Sequence, residues 1–202
     1  MTIRNIIFDL GAVLLDIDYN RTADAFKRLG LVSFDAIYSK KKQDHFFDDF
    51  EKGLMPESVF RSEIRKHLPA TVTDDQIDVA WNAMLIGMPH GRKEWLRNTG
   101  TRYRIFLLSN TNTIHIRGFQ ELVGNDFNSI FEKTYFSCEM GMRKPDAEIF
   151  EKVIEDHQLL KSETLFIDDS PQHVEGARQV GLQALHLIDG VRVEDVRMIS
   201  DR

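Results

Sequence analysis

Four short stretches of this 202-residue chain carry side chains that could do chemistry together. IIFDLGAVLLDID (Ile6–Asp18) runs three apolar residues into Asp9. LLSN ends in Ser109 and Asn110, GMRKPD carries Lys144, and FIDDS carries Asp168 and Asp169. A carboxylate at the end of an apolar run is costly to bury unless it is paired or binds metal. Each stretch alone has a bland reading. Asp9 can begin a turn with Gly11, Ser109-Asn110 can cap a helix, Lys144 can be a solvated charge, and Asp168-Asp169 can complement the dipole of the next helix. Together, three carboxylates, a lysine, a hydroxyl and an amide point to phosphoryl chemistry. Mg²⁺ takes one or two carboxylates, waters and phosphate oxygens. A serine, an asparagine and helix N-termini donate to phosphate. A carboxylate such as Asp9 can act as a nucleophile.

These groups work together only if the fold brings them to one place. Four apolar runs are too short for helices and read as buried parallel strands: Asn5–Leu10, Tyr103–Ser109, Thr164–Asp168 and Gln183–Ile188. Lys133–Ser137 adds a fifth. Helical spacing separates them, as in Pro145–Gln158 with Ile149, Phe150, Val153 and Ile154 on one side. Pro171–Val180 follows Ser170 as N-cap and stops at Gly181. Pro145 disfavours helical geometry at Lys144, which keeps that residue in a loop. The alternation predicts a doubly wound parallel sheet, and ligands of such sheets gather at the carboxyl ends of the strands. Asp9, Ser109-Asn110 and Asp168-Asp169 stand at such ends, the loop after the fifth strand carries Lys144 just before a helix, and all four would face one crevice.

The stretch Asp16–Gly87 differs in texture. It reads as helices at Arg21–Leu29, His45–Lys52 and Pro56–Leu68, then a Thr73-Asp74-Asp75-Gln76 capping box opening a helix through Trp81 to Leu85. The expected organisation is a Rossmann-like α/β core of residues 1–15 and 88–202 with a small all-helical cap, 16–87, inserted after the first strand. Pro89 marks the re-entry, followed by a core helix at Gly91–Thr99.

Bulk properties narrow the partners. The chain is 42% hydrophobic and 29% charged, with a formal net charge of −6, which argues against nucleic acid. No apolar run has the ~18 residues of a membrane span, and no secretory signal is visible. The single cysteine, Cys138, excludes an internal disulfide and suits a reducing cytoplasm; a lone cysteine reads as a small apolar residue. The expected partner is a small phosphorylated metabolite, with the protein a monomer or homodimer. The tail after Gly190 reads as a short helix on the core or part of a contact with another chain.

FDLG, LLSN, MRKPD and FIDDS, in that order and spacing, resemble the haloacid dehalogenase (HAD) superfamily over nearly the whole chain. FDLGAVLLDID and GMRKP are similar to its sugar-phosphate phosphatases of the alpha-D-glucose-1-phosphate phosphatase type. The resemblance implies a Rossmann-like core and a cap that sets specificity. It also implies Mg²⁺ held by Asp9, Asp169 and the Gly11 carbonyl, with Asp168 as a further ligand or support. Asp9 would attack phosphorus, while Ser109, Asn110 and Lys144 would hold the phosphoryl oxygens. One position departs from the pattern. Most phosphatases and mutases of the family carry a second aspartate where Gly11 stands, and it protonates the leaving oxygen. Its absence argues against a phosphomutase and leaves three readings: a slow enzyme, one with better leaving groups, or a substitute acid, for which Asp16, Asp18 and cap residues such as His45 are candidates, although Asp16 and Asp18 also read as caps of the first insert helix. In the cap, Phe47, Glu51, Trp81 and Asn82 are candidate sugar contacts, though phenylalanines and tryptophan at helical spacing also describe a core. Two other functions compete with this one. A metal-free dehalogenase using Asp9 on carbon fits the paired Asp168-Asp169 poorly. A catalytically weakened binding protein has only Gly11 in its favour.

Overall fold

A computed structural model describes residues 2–31, 34 and 45–196. Five strands form one parallel sheet: β1 (Asn5–Phe8), β4 (Arg104–Ser109), β5 (Lys133–Phe136), β6 (Thr164–Asp168) and β7 (Gln183–His186). Their spatial order is β5-β4-β1-β6-β7, so the chain crosses over after β1 and the first strand lies at the centre. The side chains of β1 alternate as a pleated strand requires. Ile6 and Phe8 enter one core with Leu96, Leu107, Phe119 and Phe127. Ile7 enters the other with Phe106, Phe150, Val153 and Phe166. Both faces are covered by helices, which explains the near-continuous apolar runs of the central strands. The helices are α5 (Arg92–Gly100), α6 (Thr113–Val123), the short α7 (Ser137–Met140), α8 (Ala147–His157) and α9 (Pro171–Gln179).

The cap helices are α1 (Tyr19–Arg28), α2 (His45–Glu51), α3 (Glu57–Arg65) and α4 (Asp74–Asn82). They bury their own apolar cluster of Phe26, Phe34, Phe47, Phe50, Phe60, Ile77 and Trp81, into which Ile114 of α6 projects. The Thr73–Gln76 capping box forms as the residue types require. The insert is not wholly helical. An antiparallel ribbon of β2 (Asp16–Ile17) and β3 (Leu85–Gly87) joins it to the core, so Leu85 belongs to a strand rather than to α4. Two-residue strands lack the alternating run that would announce them.

After Gly190, a short 3-10 turn at Val193–Asp195 packs Val193 into the core. Glu194 there forms a bidentate pair with buried Arg92 at 2.8 and 2.9 Å; the tail beyond Val196 lies outside the described residues. Among the described residues, no helix is long and apolar enough to cross a membrane.

Candidate active site

Parallel register sets the site. Phe8 pairs with Leu107 on one side and Ile167 on the other, so the next residues, Asp9 and Asp168, emerge side by side. The Asp9 amide still donates to the Ile167 carbonyl at 2.9 Å, which ties its backbone to the sheet. Lys144 reaches between the two carboxylates. It is fully buried, not the solvated charge of the bland reading. Its ammonium donates to Asp9 Oδ1 at 2.5 Å, Asp168 Oδ2 at 2.6 Å and the Leu108 carbonyl at 2.9 Å. All three ammonium protons are therefore used within the protein, so in this structure Lys144 aligns Asp9 and balances its charge. Asn110 clamps Lys144 through its backbone: Oδ1 accepts from the Lys144 amide and Nδ2 donates to its carbonyl, both at 2.9 Å. The amide group expected to face phosphate is thus engaged in placing the lysine.

Asp168 is fully buried and stands behind the cavity. Its oxygens accept from Lys144, from the Ser170 amide at 2.8 Å and from His173 Nδ1 at 3.0 Å. Of the two expected roles, further ligand or support, this geometry describes the support. Asp169, half-buried, lines the cavity instead.

The two neighbouring carboxyls are shifted in opposite directions. Burial dominates at Asp9 and pushes its carboxyl up to about 7, against the opposing pull of Lys144. Burial also opposes ionisation of Asp168, but Lys144 and His173 outweigh it and hold that carboxyl below the usual range. Lys144, though buried, is held charged by Asp168 and Asp9. Two carboxylates share one ammonium, and the uncompensated charge falls on Asp9, the member open to the cavity.

The cavity encloses about 210 Å³ between core and cap. Asp9, Gly11, Ser109, Asn110 and Asp169 border it from the core, and Glu51 and Trp81 from the cap. Ser109 is buried at the end of β4. At Gly11 an added Cβ would come 3.2 Å from Ile17 Cδ1, a tight contact with the β2 side chain. Asp18 caps α1 by accepting from the Asn20 amide, and Asp16 lies exposed in β2, so neither borders the cavity. The His45 side chain lies outside the described residues.

Two expected cap contacts fall elsewhere. Asn82 docks α4 onto α6: Nδ2 donates to the Ile114 carbonyl at 3.3 Å and Oδ1 faces His115 Nδ1 at 2.8 Å. It fits there because Gly118 has no side chain; a Cβ would meet Asn82 Nδ2 at 2.6 Å. Phe47 is buried in the cap cluster, stacked on Trp81 with ring centroids 5.6 Å apart.

His115, Arg143 and His173 border the cavity without having been singled out from sequence. His115 stacks on Trp81 at 5.0 Å, and burial depresses its imidazole to about 3, so it is neutral at ordinary pH. Lone histidines and an arginine beside Lys144 carry no distinguishing pattern. The one available clue was His173, which falls on the first turn of the helix that follows Asp168-Asp169.

A family model described as haloacid dehalogenase-like hydrolase matches residues 3–181. The D-ribitol-5-phosphate phosphatase of Bacteroides thetaiotaomicron is 29% identical over 193 residues, 93% of each chain. An HAD family enzyme from the same organism was solved as an aspartate-to-alanine variant in complex with magnesium and inorganic phosphate. It superposes with a TM-score of 0.90 at 35% identity, over 95% of this chain and 96% of that one. An HAD-like family hydrolase from Porphyromonas gingivalis gives a TM-score of 0.82 at 32% identity, over 95% and 94%.

Proposed function

Because the chain belongs to the haloacid dehalogenase-like hydrolase family, we propose that it is a Mg²⁺-dependent phosphatase of a small sugar or polyol phosphate, with Asp9 as nucleophile. The observation that carries this reading is the buried Asp9–Lys144–Asp168 cluster opening, through Asp9 alone, on a cavity that Asp169 also borders. The similar phosphatase named for D-ribitol-5-phosphate supports the substrate class.

The donors suit the metal. Asp9 and Asp169 offer carboxylate oxygens and Gly11 a backbone carbonyl, all hard ligands at one rim. No cluster of three or more histidine, cysteine or acidic residues stands ready for a metal among the described residues. That set suits a hydrated cation shared with phosphate better than a closed protein cage. Bound there, Mg²⁺ would supply positive charge to the phosphoryl oxygens.

The protein's own groups divide the remaining work. Lys144 and Asp168 hold the Asp9 carboxylate at the strand end, aimed into the cavity. Asp9 attacks phosphorus, the ester P–O bond breaks, and an aspartyl-phosphate forms. Ser109 at the end of β4 and Asp169-Ser170 just after β6 border the cavity, where they would flank the phosphoryl group. Water then cleaves the acyl phosphate and regenerates Asp9. The cap excludes bulk water while the substrate is bound.

The test is phosphate release from a panel of sugar and polyol phosphates. We expect turnover with Mg²⁺, none with chelator, and background levels in Asp9→Asn. Appreciable turnover by Asp9→Asn would overturn the nucleophile.

A further inference from the structure

Resting on that phosphatase reading, the geometry points to Glu51, carried by the cap, as the general acid that protonates the leaving oxygen of the substrate. A sugar or polyol alkoxide is a poor leaving group, and a positioned acid contributes typically ~10²–10⁴-fold to its departure. The loop beside Asp9 offers none, since position 11 is glycine and carries no side chain. The acid must come from another wall of the cavity. Of the residues that border it, Glu51 faces the core from the last turn of α2.

Its placement is fixed from the core side. The Glu51 carbonyl accepts from Ser137 Oγ at 2.6 Å, and the same Oγ accepts from the Thr111 amide at 2.9 Å. Thr111 directly follows Ser109-Asn110. Glu51 is thereby tied to the strand end that borders the reacting group, and it feels the charge of Lys144.

Its carboxyl is free to carry a proton. Oε2 lies 3.0 Å from Arg143 Nη2, a charge pairing without hydrogen-bond alignment. Oε1 takes no hydrogen bond from the described residues, and 21% of the side chain stays accessible at the cavity. Arg143 is also hydrogen-bonded to Asp48, so two carboxylates share one guanidinium. Burial is the main cause that raises the Glu51 carboxyl, and Asp48 adds to it, with Arg143 and Lys144 opposing. The protons balance over a cycle. As the P–O bond breaks, Glu51 gives its proton to the departing oxygen. The resulting carboxylate takes a proton from the water that attacks the aspartyl-phosphate.

The experiment is a leaving-group series of aryl and alkyl phosphates with wild type and Glu51→Gln, with Mg²⁺ present. The slope of log kcat/KM against leaving-group pKa does not depend on the fraction of folded protein. We expect a shallow slope for wild type and a steep one for Glu51→Gln. Alkyl esters should lose on the order of 10²-fold or more, and nitrophenyl phosphate only a few-fold. Parallel lines, or equal loss or no loss across the series, would overturn the acid while leaving the phosphatase reading intact. A wild type inert towards the whole series would overturn that reading instead.

Discussion

Asp9 and Asp168 flank the same ammonium but differ in what else they meet. Asp168 has three donors and no opening; Asp9 has one side-chain donor and the cavity. Removing the shared lysine and removing Asp9 should therefore have unequal effects on stability. Lys144→Met leaves two buried carboxylates without a counter-charge, and breaking a buried pair in this way costs ~3–5 kcal/mol. Asp9→Asn leaves a neutral Lys144–Asp168 pair and removes the carboxylate that burial disfavours. In chelator at pH 7.5 we expect Lys144→Met to melt well below wild type and Asp9→Asn to melt at or above it. Differential scanning calorimetry distinguishes the two. A large loss in Asp9→Asn would mean that the Lys144–Asp9 bond outweighs the desolvation of Asp9.

Among the elements, α2 and the loop after it form the joint on which the cap's acid depends. Gly53 has φ of +69°, and an added Cβ would sit 2.0 Å from the Cys138 carbonyl oxygen. Both the backbone conformation and the contact require glycine. The clash is with backbone of α7, so relaxing it must move α2 away from the core and carry Glu51 with it. Gly53→Ala should reduce kcat/KM on sugar phosphates while leaving the sheet intact, checked by activity beside far-UV circular dichroism. Normal turnover would show that the seat of α2 is unimportant. Cys138 fits its structural reading: half-buried, its thiol is pushed up to about 11, mainly by burial, and is unreactive at neutral pH.

For the whole molecule, the buried titratable groups predict how stability depends on pH. His115 is held at about 3, against an ordinary value of 6.5. The fold favours the neutral ring, so its contribution is present above pH 6.5 and is lost as pH falls from 6.5 towards 3. Asp9, raised from 3.8 to about 7, runs the other way: its contribution is present below pH 3.8 and is lost as pH rises to 7. In chelator, His115→Gln should therefore flatten the fall of Tm between pH 6.5 and 4. An unchanged acid limb would place the loss elsewhere.

What the sequence by itself determined was the parallel sheet and three strand ends, those at Asp9, Ser109 and Asp168. Buried parallel strands must be apolar runs, and a run that stops at Asp9, Ser109 or Asp168 announces both strand and site by the same local change. The family resemblance rests on those positions, and the match over residues 3–181 bears it out. Tertiary structure decided everything that depends on two distant segments meeting. Register made Asp9 and Asp168 neighbours and let Lys144 take up both. Packing engaged the Asn110 side chain with the Lys144 backbone at the cavity's edge and sent Asn82 to α6 instead of the cavity. It brought Glu51 to Arg143, His115 to Trp81 and Arg92 to Glu194. None of these pairings leaves a period or a spacing in the chain, because each is chosen by the space and charge left when separate elements pack.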